Sequence, residues 1–231
     1  GTVSLCSIKL FSDTKIDEAL LDAASLTAHA DSVLKELFND VIAGKEIMLK
    51  KVENFMYEDA MGICGWVDNK RILLGNRELM LSHNIEGIPT KTKETEFTEG
   101  GKDALYLSVS GNLAAMFIIE ISASPAVKKA MNRLEKHDMA VIIKTIDPFI
   151  TINRISGLFG FSEELIKIIP TRMIKEYDEE TRKVKKTSTS IACSGKFGSF
   201  VSLLMSAKSI RKTVSLGIIL QSVSALLGMG I

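Results

Sequence analysis

Residues 62–80 read GICGWVDNKRILLGNRELM, a run that folds back on itself. Segments 63–67 and 71–74 are extended in character and flank Asp68-Asn69, two residues that accept the backbone of a tight turn, so the stretch predicts a β-hairpin. A short helix over 76–83 follows it. Upstream, 52–57 predicts a further strand. Ile16, Ala19, Leu20, Ala23, Ala24 and Leu26 mark one side of a helix over 16–26. Asp31 or Ser32 can cap a second helix carrying Val33, Leu34, Leu37, Phe38 and Val41. Downstream, Pro89 and a Lys/Thr/Glu tract up to Gly100-Gly101 predict a polar loop. A second hairpin is expected over 104–109 and 113–120, turning at Ser110-Gly111-Asn112. Residues 12–120 are therefore expected to form an α+β unit with an antiparallel sheet, and the alternating residues 1–11 a link or edge strand.

Beyond residue 120 helices alternate with strands. Ser124-Pro125 is a cap followed by a first-turn proline, opening a helix with Val127, Ala130, Met131 and Leu134 on its apolar side. Residues 140–143 form a continuous apolar strand of the kind buried on both faces of a parallel sheet. The loop Thr145-Ile146-Asp147-Pro148 leads to a helix that ends at Phe159 before Gly160, and strands are expected at 166–169 and 191–193. This order predicts an α/β, doubly wound parallel sheet. Nine of the twelve residues 175–186 are charged, as on a solvated helix face or loop. Residues 213–231 carry no charge and follow Lys208, Arg211 and Lys212. As a helix they are expected to begin a membrane span from residue 208, with 1–212 on the cytoplasmic side; the alternative is a buried C-terminal helix.

Composition bounds the function. The 231 residues include 29 Lys and Arg against 28 Asp and Glu, so a net charge of +1 offers no global field for nucleic acid. Aromatics are 6%, too few for an interleaved single-strand stacking platform. Charged residues at 25% and hydrophobic ones at 46% exclude disorder for the bulk of the chain. Cys6, Cys64 and Cys193 form neither a disulfide framework nor a C-x-x-C zinc site, so no metal ligand set is assigned and a reducing compartment is expected.

The order of segments resembles the cytoplasmic head of P-type cation-transporting ATPases, especially their heavy-metal branch, over nearly the whole chain. The residues that carry the resemblance are Gly62-Ile63-Cys64-Gly65, the run from Leu73 through Gly75-Asn76 to Met80, Gly111-Asn112-Leu113, and Thr145-Ile146-Asp147. It implies a nucleotide-binding α+β domain over 12–120 inserted into a haloacid-dehalogenase-like (HAD-like) phosphorylation domain over 121–207. Residues 1–11 then link from the latter, and 208–231 re-enter the membrane. It implies nucleotide, with ATP as the ligand, at Gly62, Gly65, Gly75 and Asn76. Thr145 and Asp147 stand where the family's T-G-D loop holds its hydroxyl and carboxylate.

The departures bear on activity. The family's adenine-stacking His of S-x-H-P is absent, its place falling within Ala30-Asp31-Ser32-Val33; His29 lies nearby at a different offset, and His29, His83 and His137 read as surface or satisfied core residues. The aspartyl nucleophile of D-K-T-G-T is expected upstream of Gly1. Ile146 replaces the glycine of T-G-D. The acidic G-D-G-x-x-N-D loop corresponds to residues 192–198, ACSGKFG, with Lys196 in it, and no Asp or Glu follows Glu180, so Mg²⁺ held in the usual way is not expected. Three functions follow: a head that binds nucleotide but is degenerate in phosphoryl transfer, which is preferred; an active cation pump; and a nonenzymatic regulatory module on the same fold.

Overall fold

The computed structural model describes residues 2–44, 48–182, 196–210 and 218–220. The chain divides into two compact units. One comprises Val3–Ile121 with Ile146–Phe149, the other Ser122–Thr145 and Ile150–Ile231 with the first two residues.

In chain order the first unit is built from β1 (Thr2–Leu10), α1 (Ile16–Thr27), α2 (Val33–Val41), β2 (Val52–Glu58), β3 (Gly62–Val67), β4 (Lys70–Gly75), α3 (Arg77–Ser82), α4 (Lys91–Phe97), β5 (Asp103–Val109) and β6 (Asn112–Ser122). The strands make one six-stranded sheet in the order β1-β6-β5-β4-β3-β2. Pairs from β2 to β6 are antiparallel. At β1, Thr2 meets Ser122 while the Phe11 N–H reaches the Ala114 carbonyl at 2.9 Å, so this pair is antiparallel too. The β3–β4 turn forms because Asp68 and Asn69 both take positive φ, 49° and 60°, the geometry that matches the twist of a hairpin.

Alternation along β3 and β4 sends Ile63, Gly65, Val67, Ile72 and Leu74 to one face and Cys64 and Leu73 to the other. α1 packs on the first face. There Phe38 of α2 meets Phe117 of β6 edge-on at 5.0 Å, both rings fully buried. The opposite face gathers Cys64, Leu73, Tyr106 and Met116 under Leu79 and Met80 of α3. Both faces of the central strands are thus covered, which is why β3 is buried almost continuously.

Two expectations change here. Residues 1–11, expected as a link or edge strand of the phosphorylation domain, instead contribute β1 to the edge of this antiparallel sheet, because β6 is eleven residues long and leaves an edge for it to pair with. Residues 91–97, expected as polar loop, are helix α4. No residue of α4 is buried, so no apolar stripe announces it. Thr90 caps it through a 3.4 Å bond from the Lys93 N–H, and Glu94 ties it down: Arg77 Nη1 lies 2.7 Å from Glu94 Oε2, and the Tyr106 hydroxyl donates to the same oxygen at 2.5 Å.

Burial, reinforced by the bond to Glu94 and its charge, pushes the Tyr106 phenol well above its ordinary value. At Lys50 burial pulls the ammonium down, but the bonds and charges of Asp22 at 2.8 Å and Asp68 at 3.3 Å outweigh it and the net shift is upward. Both groups hold protons in the folded state that the unfolded chain releases. Their contribution is complete below the unfolded values and is lost as pH rises through the folded ones. Urea midpoints are therefore expected to hold up to about pH 9 and to fall as pH rises above about 10, less steeply in Tyr106→Phe. An equal slope in that variant would contradict the assignment to Tyr106.

The second unit contains α5 (Pro125–Glu135), β7 (Val141–Lys144), α6 (Ile152–Phe159), β8 (Ile166–Ile169), α7 (Ile174–Arg182), α8 (Phe197–Ile210) and β9 (Ile218–Leu220). Its sheet is parallel, in the order β8-β7-β9. α5 buries Val127, Ala130, Met131 and Leu134 and packs against α6 and α8. α6 stops at Gly160, which takes the left-handed φ of 65° that a helix end commonly requires. The first part of the charged stretch, up to Arg182, lies in α7, anchored by Asp178, whose two carboxylate oxygens both lie 3.0 Å from Lys144 Nζ.

The strand expected at 191–193 lies outside the described residues. The uncharged run 213–231 is not one continuous helix, since Ile218–Leu220 pairs with β7 as a strand; such short β-branched runs satisfy their backbone in a sheet as readily as in a helix. Among the described residues no helix is long and apolar enough to cross a membrane.

Candidate functional site

The corner where β2 turns into β3 lies against the end of β4. Gly62 pairs directly with Gly75. A Cβ on Gly62, whose φ is +147°, would sit 2.3 Å from the Leu74 carbonyl oxygen; one on Gly75 would sit 2.1 Å from the Met61 carbonyl oxygen. Each glycine is required by the backbone of the other strand. Asn76 fixes the corner with three bonds. Its N–H donates to the Met61 carbonyl at 2.9 Å, its Nδ2 donates to the Ala60 carbonyl at 3.0 Å, and its Oδ1 accepts the Leu79 N–H at 3.0 Å, capping α3. Ala60 is held at φ 56°, a conformation more usual for glycine.

Gly62, Gly75 and Asn76 thus come together, whereas Gly65 does not join them. Three residues from Gly62 along a strand, it faces the other side of the sheet, where its missing Cβ leaves room for Val52 Cγ1 at 2.8 Å and Leu26 Cδ1 at 3.0 Å.

On the α1 face, at the β2 edge, three rings gather. A register shift between Glu53 and Met56, with Asn54 at φ 49°, sets Phe55 and Tyr57 side by side with centroids 5.0 Å apart. His29, just past the end of α1, lies 6.1 Å from Phe55. Tyr57 is 41% exposed and pairs with Ile63, the neighbour of Gly62. Nothing in the sequence joins His29 to Phe55; the only local cue is the aromatic alternation of Phe55 and Tyr57.

On the other face Glu58 Oε1 lies 3.4 Å from His83 Nε2, and Arg71 Nη2 lies 3.0 Å from His83 Nδ1, so His83 is a half-buried residue with both ring nitrogens partnered. Burial, with Glu58 adding to it and Arg71 opposing, pushes the Cys64 thiol up, away from nucleophilic thiolate character. Among the described residues no group of three His, Cys, Asp or Glu is placed to hold a metal ion.

No protein-family model matches the chain. It is 24% identical over 179 residues to copper-transporting ATPase 2 of Rhizobium meliloti (strain 1021), covering 78% of this chain and 21% of that protein. It is 23% identical over 166 residues to a copper-exporting P-type ATPase of Bacillus subtilis (strain 168), covering 72% and 21%. Its homologues are copper-exporting P-type ATPases. The chain spans about a fifth of the length of these relatives. Among solved structures, the N-domain of a copper-transporting P-type ATPase aligns at 19% identity and TM-score 0.42, over 52% of this chain and 100% of that one. A zinc-transporting PIB-type ATPase aligns at 15% and 0.46, over 79% and 29%.

In this relative of the copper-exporting P-type ATPases, Thr145 is buried at the end of β7 and Asp147 is 5% exposed. The Asp147 carboxylate accepts the Ser32 hydroxyl and, at 3.3 Å, the Val33 N–H. It is held at the first turn of α2, where a helix favours negative charge, and Ser32 in turn accepts the Leu34 N–H at 3.0 Å. Lys196 is exposed, while residues 192–195 of the same loop lie outside the described residues.

Proposed function

We propose that this chain is the cytoplasmic nucleotide-binding and phosphorylation region of a membrane protein like the heavy-metal P-type ATPases, binding an adenine nucleotide but degenerate in phosphoryl transfer. The observation that carries the nucleotide assignment is the ring set on the α1 face, exposed His29 and Tyr57 with half-buried Phe55, where Tyr57 pairs with Ile63 next to Gly62. A planar base gains about 1–3 kcal/mol from each such stack, and these rings supply what the missing S-x-H-P histidine would otherwise give. Gly62, Gly75 and Asn76 then hold the corner between β2 and β3 that positions Tyr57, and Gly65 serves by letting α1 approach the sheet on the face of the rings.

The second unit is proposed as HAD-like on its parallel sheet and on the Thr145-Ile146-Asp147 loop, in which both site residues are vestigial. Asp147 already neutralises the start of α2, and the absence of acidic residues after Glu180 leaves no hard-oxygen set for Mg²⁺, so the residues present do not fit that ion. Membrane attachment and the transported cation belong to the proposal for the whole protein, supported by the homologues.

Titrating the 231-residue chain with a nonhydrolysable ATP analogue, followed by amide chemical shifts, is expected to move His29, Phe55 and Tyr57, equally with and without Mg²⁺. Phe55→Ala with Tyr57→Ala is expected to weaken binding by about thirtyfold or more. No response from the native chain would remove the nucleotide assignment; a response that needs Mg²⁺ would remove the degenerate one.

A further inference from the structure

We infer that a groove between the end of β1 and α4 binds a small carboxylate with an apolar body, at a site separate from the aromatic edge. The groove is open to solvent and offers about 650 Å³, a volume within the range of small-molecule sites. Leu10, Phe11, Ile88 and Phe97 line it, and of these Phe11, Ile88 and Phe97 also pack against the buried cluster around Tyr106, so much of the apolar lining is fixed by the core beneath it. Lys9 and Lys93 complete the lining, and no acidic residue contributes to it. Lys9 Nζ lies 4.9 Å above the Phe97 ring, which draws that charge over the apolar surface.

This combination selects its ligand. Among the described residues neither Lys9 nor Lys93 has a carboxylate partner, so an incoming anion does not have to displace one. A neutral apolar molecule covers the lining but ignores both cations; inorganic phosphate meets the cations and leaves the lining wet. A carboxylate on an aryl or short acyl body satisfies both. Only four residues of the β1 segment line the groove, about 13 Å of strand, which suits a small molecule better than an extended peptide.

The test is a chemical-shift titration of the 231-residue chain with 3-phenylpropanoate, its neutral amide and inorganic phosphate. The carboxylate is expected to give saturable shifts confined to residues 8–11 and 87–97, at least tenfold tighter than the amide, with phosphate giving no saturable shift there. Lys9→Gln with Lys93→Gln is expected to weaken the carboxylate about tenfold, leaving the amide and the thermal midpoint unchanged, since both side chains are exposed. Equal binding of acid and amide, shifts elsewhere, or unaltered carboxylate affinity in the double variant would overturn the site. Displacement by the ATP analogue would overturn its separateness; failure of the nucleotide titration alone would leave these shifts intact.

Discussion

Gly75→Ala is expected to destabilise the chain by about 3 kcal/mol or more, because its new Cβ would stand 2.1 Å from the Met61 carbonyl oxygen, where backbone rather than a flexible side chain must give way. Gly62→Ala meets the Leu74 carbonyl oxygen at 2.3 Å and adds strain from its φ of +147°, so it belongs to the same class. Gly65→Ala differs: its nearest neighbours are the side-chain ends of Val52 and Leu26, and about 1 kcal/mol is expected. Urea unfolding of the three variants separates these cases. Near-native stability of Gly75→Ala would show that β3 and β4 do not approach as described. Loss of nucleotide binding in Gly62 or Gly75 variants reports a broken sheet as much as a lost contact, which is why Phe55 and Tyr57 are the informative positions for the ligand.

Arg77→Ala is expected to release α4. Arg77 Nη1 donates to the Pro89 carbonyl and to Glu94 Oε2, each at 2.7 Å, and its side chain is only 14% exposed. Removing it leaves a half-buried Glu94 with the Tyr106 hydroxyl in place of a cation, a loss of about 2–3 kcal/mol for charge-assisted bonds. Since α4 buries no residue of its own, little else holds it. Amide exchange should accelerate across 91–97 while β4 and β5 stay protected. Unchanged protection of α4 would mean that Phe97, half-buried against the core, suffices as its anchor.

What could be read from the sequence was what lies close along the chain. The hairpin over 62–75 was legible because Asp68-Asn69 supplies both positive φ angles and the flanking alternation fixes the faces. The cap at Ser32, the helix start at Ser124-Pro125 and the stop at Gly160 were legible because each serves the helix next to it. α4 was not, for its ties run to Arg77 and Tyr106 rather than through an apolar stripe. Nor was the aromatic edge, since a bulge at 53–56 places Phe55 against His29 and no residue type prescribes that irregularity. The opposed faces of Gly62 and Gly65 follow from strand periodicity alone once both are on β3. Asp147 and Ser32 are separated by 115 positions, and their pairing is a property of the folded chain only.

The placing of β1 beside β6 bears on how the protein can be cut. A fragment beginning after Phe11 would bare eleven residues of β6, seven of them in a continuous buried run, as an unguarded ribbon edge. One ending before Ile146 would also strip α2 of its carboxylate. Excision of the first unit as a plain interval therefore leaves a body prone to stack with its own copies, unless both outlying pieces are carried along.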